Sequence, residues 1–79
     1  MIKLNDLVEK FSMDGNGELE KSVKVQQFEQ YSGIDLKKCK RETNEYGGDD
    51  ILIKVLDEDG SDIYITIEAN KGYVTHSYY

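Results

Sequence analysis

Residues 51–68 read Ile51-Leu52-Ile53-Lys54-Val55-Leu56-Asp57-Glu58-Asp59-Gly60-Ser61-Asp62-Ile63-Tyr64-Ile65-Thr66-Ile67-Glu68. Ile51, Ile53 and Val55 alternate with Leu52, Lys54 and Leu56, and Ile63, Ile65 and Ile67 alternate with Tyr64, Thr66 and Glu68. A period of two in β-branched residues predicts two strands, each with one apolar face. The loop between them fixes their register. A two-residue Asp59-Gly60 loop would pair Leu56 with Ile63 and set Ile65 opposite Lys54. A three-residue loop, Glu58-Asp59-Gly60, pairs Asp57 with Ser61 and aligns Val55–Ile63, Ile53–Ile65 and Ile51–Ile67. It also places Gly60 at the left-handed position that such loops require. A slip of one residue would turn one strand's isoleucines away from the other's, so the hydrophobic pattern selects the three-residue loop.

Downstream, Asn70-Lys71-Gly72 predicts a second hairpin and Tyr73–Tyr79 a last strand. Its register stays open: either Val74, His76 and Tyr78 join the isoleucine face, or Tyr73, Thr75, Ser77 and Tyr79 do. Upstream, Gly47-Gly48-Asp49-Asp50 reads as a turn, and residues 37–46, after Ile34 and Leu36, as an exposed strand or a loop. Val25, Phe28 and Tyr31 give a helix over 25–32, with Gly33 as its C′ residue. Leu19, Val23 and Val25 share a parity, which fits a short strand near 20–25. Leu4, Leu7, Val8 and Phe11 form one helical stripe, so a helix spans 4–12. Asn5 or Asp6 is its expected cap, and Ser12 through Gly17 stop it. The fold class is α+β: two short helices packed on one face of an antiparallel sheet of three to five strands, in a single domain, residues 1–79.

A chain of 79 residues lies near the lower limit for folding on a core alone. Cys39 is the only cysteine, so no disulfide within the chain is expected, and no Cys/His cluster suggests a structural zinc. The first residues contain no apolar signal-like run, and no stretch approaches 18 apolar residues. With the single cysteine, this gives an expectation of a cytoplasmic, non-membrane protein.

Charge is unevenly placed. Residues 42–79 hold nine carboxylates and two lysines, a balance of −7, whereas residues 1–41 hold seven carboxylates and eight Lys or Arg, a balance of +1. The net charge of −6 argues against direct binding of nucleic acid or an anionic membrane.

No motif names a reaction. Asp14-Gly15-Asn16-Gly17-Glu18 resembles the start of a calcium loop, but the bidentate Glu due twelve positions from Ser12 is replaced by Val23. Asp57-Glu58-Asp59-Gly60-Ser61-Asp62 has the same look, and its glycine is explained by the hairpin. Lys37, Lys38, Lys40 and Arg41 surround Cys39; they suit a solvated surface, and although cations lower a thiol pKa, the better reading is a spectator or a half-buried thiol. His76 stands alone among tyrosines, and no spacing singles out a catalytic carboxylate pair. Gly47-Gly48 is not a phosphate cradle. The expectation is a protein that is not an enzyme, with no cofactor, no metal and no catalytic residue.

The order helix, short strand, helix, then consecutive antiparallel strands resembles phage uracil-DNA glycosylase inhibitors, which mimic DNA. Leu4-Asn5-Asp6-Leu7-Val8-Glu9-Lys10 is similar to the first helix of that family, and Asp50-Ile51-Leu52-Ile53-Lys54 to the start of its central sheet. The family's Glu-Ser-Ile strand opening corresponds to Lys21-Ser22-Val23. Its acidic second helix corresponds to Gln26-Gln27-Phe28-Glu29-Gln30-Tyr31, where only Glu29 is charged. In composition the chain is also similar to small acidic phage proteins that disable host defence nucleases, anti-CRISPR proteins among them.

Two functional expectations follow. In the first, the chain is a small acidic protein-binding inhibitor, DNA-mimicking or of anti-CRISPR type, that blocks a host nucleic-acid-binding or defence protein. Asp49 and Asp50 would act at one end of the central hairpin, with Asp57, Glu58, Asp59 and Asp62 at the other, roughly 20–25 Å away. In the second, Tyr73, Tyr78 and Tyr79 make the last strand an edge that pairs with itself, giving a homodimer, or with a protein partner.

Overall fold

The computed structural model describes all residues, Met1–Tyr79, as α1 (Leu4–Phe11), β1 (Val23–Lys24), α2 (Val25–Ser32), a 3-10 turn (Leu36–Lys38), β2 (Lys40–Thr43), β3 (Asp49–Leu56), β4 (Asp62–Asn70) and β5 (Tyr73–Tyr78). One antiparallel sheet runs in the order β1-β5-β4-β3-β2, so the fold is α+β.

The central hairpin has the register that its alternation selects. Ile51 lies opposite Ile67, Ile53 opposite Ile65 and Val55 opposite Ile63. Asp57 N donates to Ser61 O at 2.8 Å, and Gly60, at φ 85°, donates to Asp57 O. The isoleucines join Leu4 and Leu7 of α1, Phe28 of α2 and Val74 of β5 in one core. Both helices therefore cover the same face of the sheet. Phe11 ties them together, stacking on Phe28 at 5.3 Å between ring centroids and meeting the Tyr31 ring edge-on at 5.6 Å. Burial of such side chains supplies most of the stability of a small domain.

Helix α1 begins earlier than a cap at Asn5 or Asp6 allows. Lys3 is the N-cap, without a side-chain cap bond. The sheet sets this start: Leu56 N donates to Ile2 O, and Lys3 forms a parallel bridge to Leu56. Asn5 instead donates to Glu58 at 3.2 Å. Ser12 ends the helix at φ 54°.

Helix α2 spans the expected residues and ends at Gly33, φ 73°, whose N–H donates to Glu29 O. The early strand is only Val23–Lys24, because two pairs with Val74 and Tyr73 exhaust its contact with β5. The 37–46 segment resolves into the end of the 3-10 turn, β2 and part of a turn.

Asp49 and Asp50 belong to β3 and not to the turn before it: they lie opposite Thr43 and Glu42 on one side and Ala69 and Glu68 on the other. Asn44 draws the turn back by two residues, its Oδ1 accepting from Tyr46 N and Gly48 N and its own N–H donating to Gly48 O. A Cβ on Gly48 would stand 2.9 Å from Ala69 O, closer than a methyl tolerates.

The second hairpin turns on two residues, Lys71 (φ 53°) and Gly72 (φ 85°), with Asn70 paired to Tyr73. Two successive positive φ angles match the twist of the flanking strands. Neither continuous register for β5 holds. Ala69 lies opposite Val74 but Glu68 lies opposite His76, so Thr75 is an extra residue in a β-bulge. The bulge switches parity, and both Val74 and Ser77 turn inward and are fully buried.

Candidate protein-docking face

The helices leave the other face of the sheet uncovered, and the strand registers arrange its side chains in rows. One row runs Lys40, Leu52, Thr66, Tyr78 across β2, β3, β4 and β5; the next runs Glu42, Asp50, Glu68, His76. Lys54 and Tyr64 sit opposite each other on the far side of the first row. Leu52 is 38% exposed, Tyr64 55% and Tyr78 49%, so the face has an apolar and aromatic centre in contact with solvent.

The acidic row is held in place from one side. Asn44 Nδ2 lies 2.7 Å from Glu68 Oε2 and 3.3 Å from Asp50 Oδ1, donating to both. Glu68 Oε1 accepts from Thr75 Oγ1 at 3.2 Å and faces His76 Nδ1 at 3.2 Å. The bulge makes that second contact possible, because it brings His76 opposite Glu68. A shallow hollow of about 840 Å³ lies over this row, with Tyr46 and Tyr78 on its walls and Glu18 and Glu45 among its lining residues. No three acidic, histidine or cysteine side chains converge on a common point that would suit a metal ion.

The sequence-selected residues do not form one site. Asp50 and Tyr78 lie on the open face. Asp49 shares the parity of the isoleucines, pairs with Arg41 at 3.2 Å and accepts from Thr43. Asp62 is on the open face and bound to Lys54 at 3.2 Å, a contact that raises the lysine pKa chiefly through its hydrogen bond. Asp57, Glu58 and Asp59 occupy the far turn. There the Ser61 backbone N–H and hydroxyl hold the Asp59 carboxyl below the usual carboxylate range.

Tyr73 faces solvent beside Lys24. Tyr79 folds back on the 15–17 loop: its hydroxyl donates to Gly15 O at 3.2 Å, its N–H donates to Asn16 O, and its ring lies where a Cβ on Gly17 would be. Ser77 donates its buried hydroxyl to Gly17 O. β5 is thus not the outermost strand. β1 flanks its first two residues and the 15–17 loop fastens its end.

The loop that resembles a calcium site closes on itself. Asp14 Oδ1 accepts from Asn16 N and Glu18 N, while Met13 bridges to Leu19 and both are buried. The basic cluster is dispersed, with Lys40 on the open face and Arg41 turned to the helical side, where it donates to Leu36 O and Asp49. Cys39 is half-buried, and burial followed by the Asp35 charge raises its thiol pKa, outweighing Arg41.

Sequence reasoning passed over Glu42, Asn44, Leu52, Tyr64 and Glu68 as site residues. The usable signal was the second parity of β3 and β4, which places Leu52, Tyr64 and Glu68 together opposite the isoleucines. Nothing local signals that Asn44 and His76 meet the same carboxylate. No protein-family model, curated protein or solved structure matches this chain in comparisons with known proteins.

Proposed function

We propose that the chain is a non-enzymatic, protein-binding inhibitor that occupies the nucleic-acid-binding surface of a host protein by presenting carboxylates where that surface receives phosphates. The observation that carries this reading is the run of carboxylates along β3 and its neighbours. Glu42, Asp50 and Glu68 lie in one row at one end of the strand, and Asp57, Glu58 and Asp59 lie in the turn at the other. From Asp50 to Asp57 the strand rises roughly 23 Å at about 3.3 Å per residue, a span of several phosphates on a duplex. Lys54, one of the two lysines of residues 42–79, is neutralised by Asp62, so the field over this half is dominated by acid and steers a basic partner inward. The likeness to small acidic phage inhibitors suggests a nuclease or other defence protein as the target class.

The test is capture from a bacterial lysate at ~0.1 M salt with elution at ~0.5 M, where screening is severalfold stronger. The expected result is a nucleic-acid-binding protein that duplex DNA competes off and whose own DNA binding the chain inhibits. Captured proteins indifferent to DNA, or none at all, would overturn the reading.

A further inference from the structure

The open face of the sheet has three properties that belong together. It is the side the helices leave bare, its centre is apolar and aromatic, and one flank is a row of carboxylates of which Asp50 and Glu68 are held by Asn44 and Glu68 also by Thr75. We propose that this face is the docking surface, and that its occupant is a protein surface with an apolar centre bordered by Lys or Arg side chains. This rests on the reading above for the acidic character of the contact, and it assigns a short apolar and basic segment to the open face, leaving the carboxylates of the far turn to a target that spans both ends.

The charge complementarity is specific to one row of the face. The row Glu42, Asp50, Glu68 contains no Lys or Arg, and its only basic member is His76 at the end. Glu42 is exposed and Asp50 and Glu68 are half-buried; carboxylates placed side by side repel one another, and a cation arriving over them adds to the relief that Asn44 gives Asp50 and Glu68. The preceding row supplies Leu52, Thr66 and Tyr78, which become the water-excluding centre when covered, with Lys40 at its β2 end on the side away from Tyr78. Tyr46, 78% exposed on the tip of the β2–β3 turn, forms the outer wall of the hollow, where its ring can receive a guanidinium or ammonium group. A second copy of the chain is the weaker occupant, because two molecules of net charge −6 repel. Strand addition at the free edge of β2 is opposed by Lys40 and Arg41, which guard that edge.

The decisive experiment uses isotope-labelled protein and a ten-residue peptide of alternating Arg and Leu, at ~0.05 M salt, read by amide chemical shifts. Saturable shifts are expected at Glu42, Asp50, Leu52, Thr66 and Tyr78. Glu42→Gln with Asp50→Asn should weaken binding roughly three- to tenfold, and Leu52→Ser should weaken it severalfold. Glu42 and Leu52 are exposed and Asp50→Asn keeps an oxygen to accept from Asn44, so the dispersion of the amide spectrum should be retained. Neutralising the far turn (Asp57→Asn, Glu58→Gln, Asp59→Asn) should change affinity less than about twofold, since its charges lie roughly 23 Å from the row, about 1.7 Debye lengths at ~0.05 M salt.

Shifts centred on residues 57–62, an equal loss in the turn variant, absence of saturable binding, or a concentration-dependent dimer that protects the face would each overturn the proposal. The proposed function fails separately. If the peptide maps to the face but no nucleic-acid-binding protein is inhibited, the surface stands and the target class falls.

Discussion

On β3, Ile51, Ile53 and Val55 are sealed beneath the helices, while Leu52, one residue away from two of them, keeps 38% of its surface in water. The same strand thus writes two faces with nearly the same apolar vocabulary. What separates them is company. The inward residues meet Leu4, Leu7 and Phe28 from the helices, whereas the outward ones meet only their cross-strand neighbours, Lys40 and Thr66 in the case of Leu52. A small domain has too little chain to cover both sides of a five-stranded sheet. The side left bare is stabilised by cross-strand pairs of modest energy.

Three substitutions sharpen that contrast. Ile53→Ala removes a fully buried side chain and should cost about 2–5 kcal/mol by denaturant unfolding, enough to threaten a domain of this size. Leu52→Ala, its outward neighbour, should cost less than about 1 kcal/mol. Equal costs would mean that the open face is covered in solution. Asn44→Ala is the next largest effect on the open side, about 1–2 kcal/mol, because it removes the acceptor of Tyr46 N and Gly48 N and the donor to Asp50 and Glu68. Its signature is local: the amides of residues 44–50 should lose hydrogen-exchange protection while those of 53–56 keep theirs.

The smallest effect is that of Asp59. Its folded pKa is lowered by hydrogen bonds from Ser61, so its contribution to stability is present above the ordinary carboxylate pKa and is lost as pH falls through the depressed value. A carboxyl-carbon NMR titration should place the Asp59 midpoint below the ordinary carboxylate range, and Ser61→Gly should remove the hydroxyl's share of that shift.

The elements best read from sequence are those whose pattern repeats locally. Alternation over 51–67 and the Asp-Gly turn fixed the central register, since a slip would have exposed one strand's isoleucines. The stripe Leu4, Leu7, Val8, Phe11 located α1 for the same reason. The stripe also placed the start of α1 at Leu4, but its cap was not legible as Lys3, because Leu56, more than fifty residues away, fixes Ile2 and Lys3. The last strand left two registers open and adopts parts of both, since the bulge at Thr75 depends on what β4 offers opposite it. The acid residues chosen from sequence fell on both faces and in a turn, because clustering along the chain says nothing about which side of a sheet each carboxylate faces once the strand start is misplaced by two.

The sequence by itself determined the α+β class, the two helices, the central hairpin and its register, and the acid excess of the second half. These follow from the periods of helix and strand and from composition, which need no distant partner. Only the tertiary structure decided that β5 lies inside the sheet, with β1 along its start and the 15–17 loop fastening its end. It also decided that Glu42, Asp50, Glu68 and His76 form one row on the uncovered side. Such rows are products of registers between four separate segments, and each register is settled by burial of the opposite face and by a bulge that no local pattern encodes.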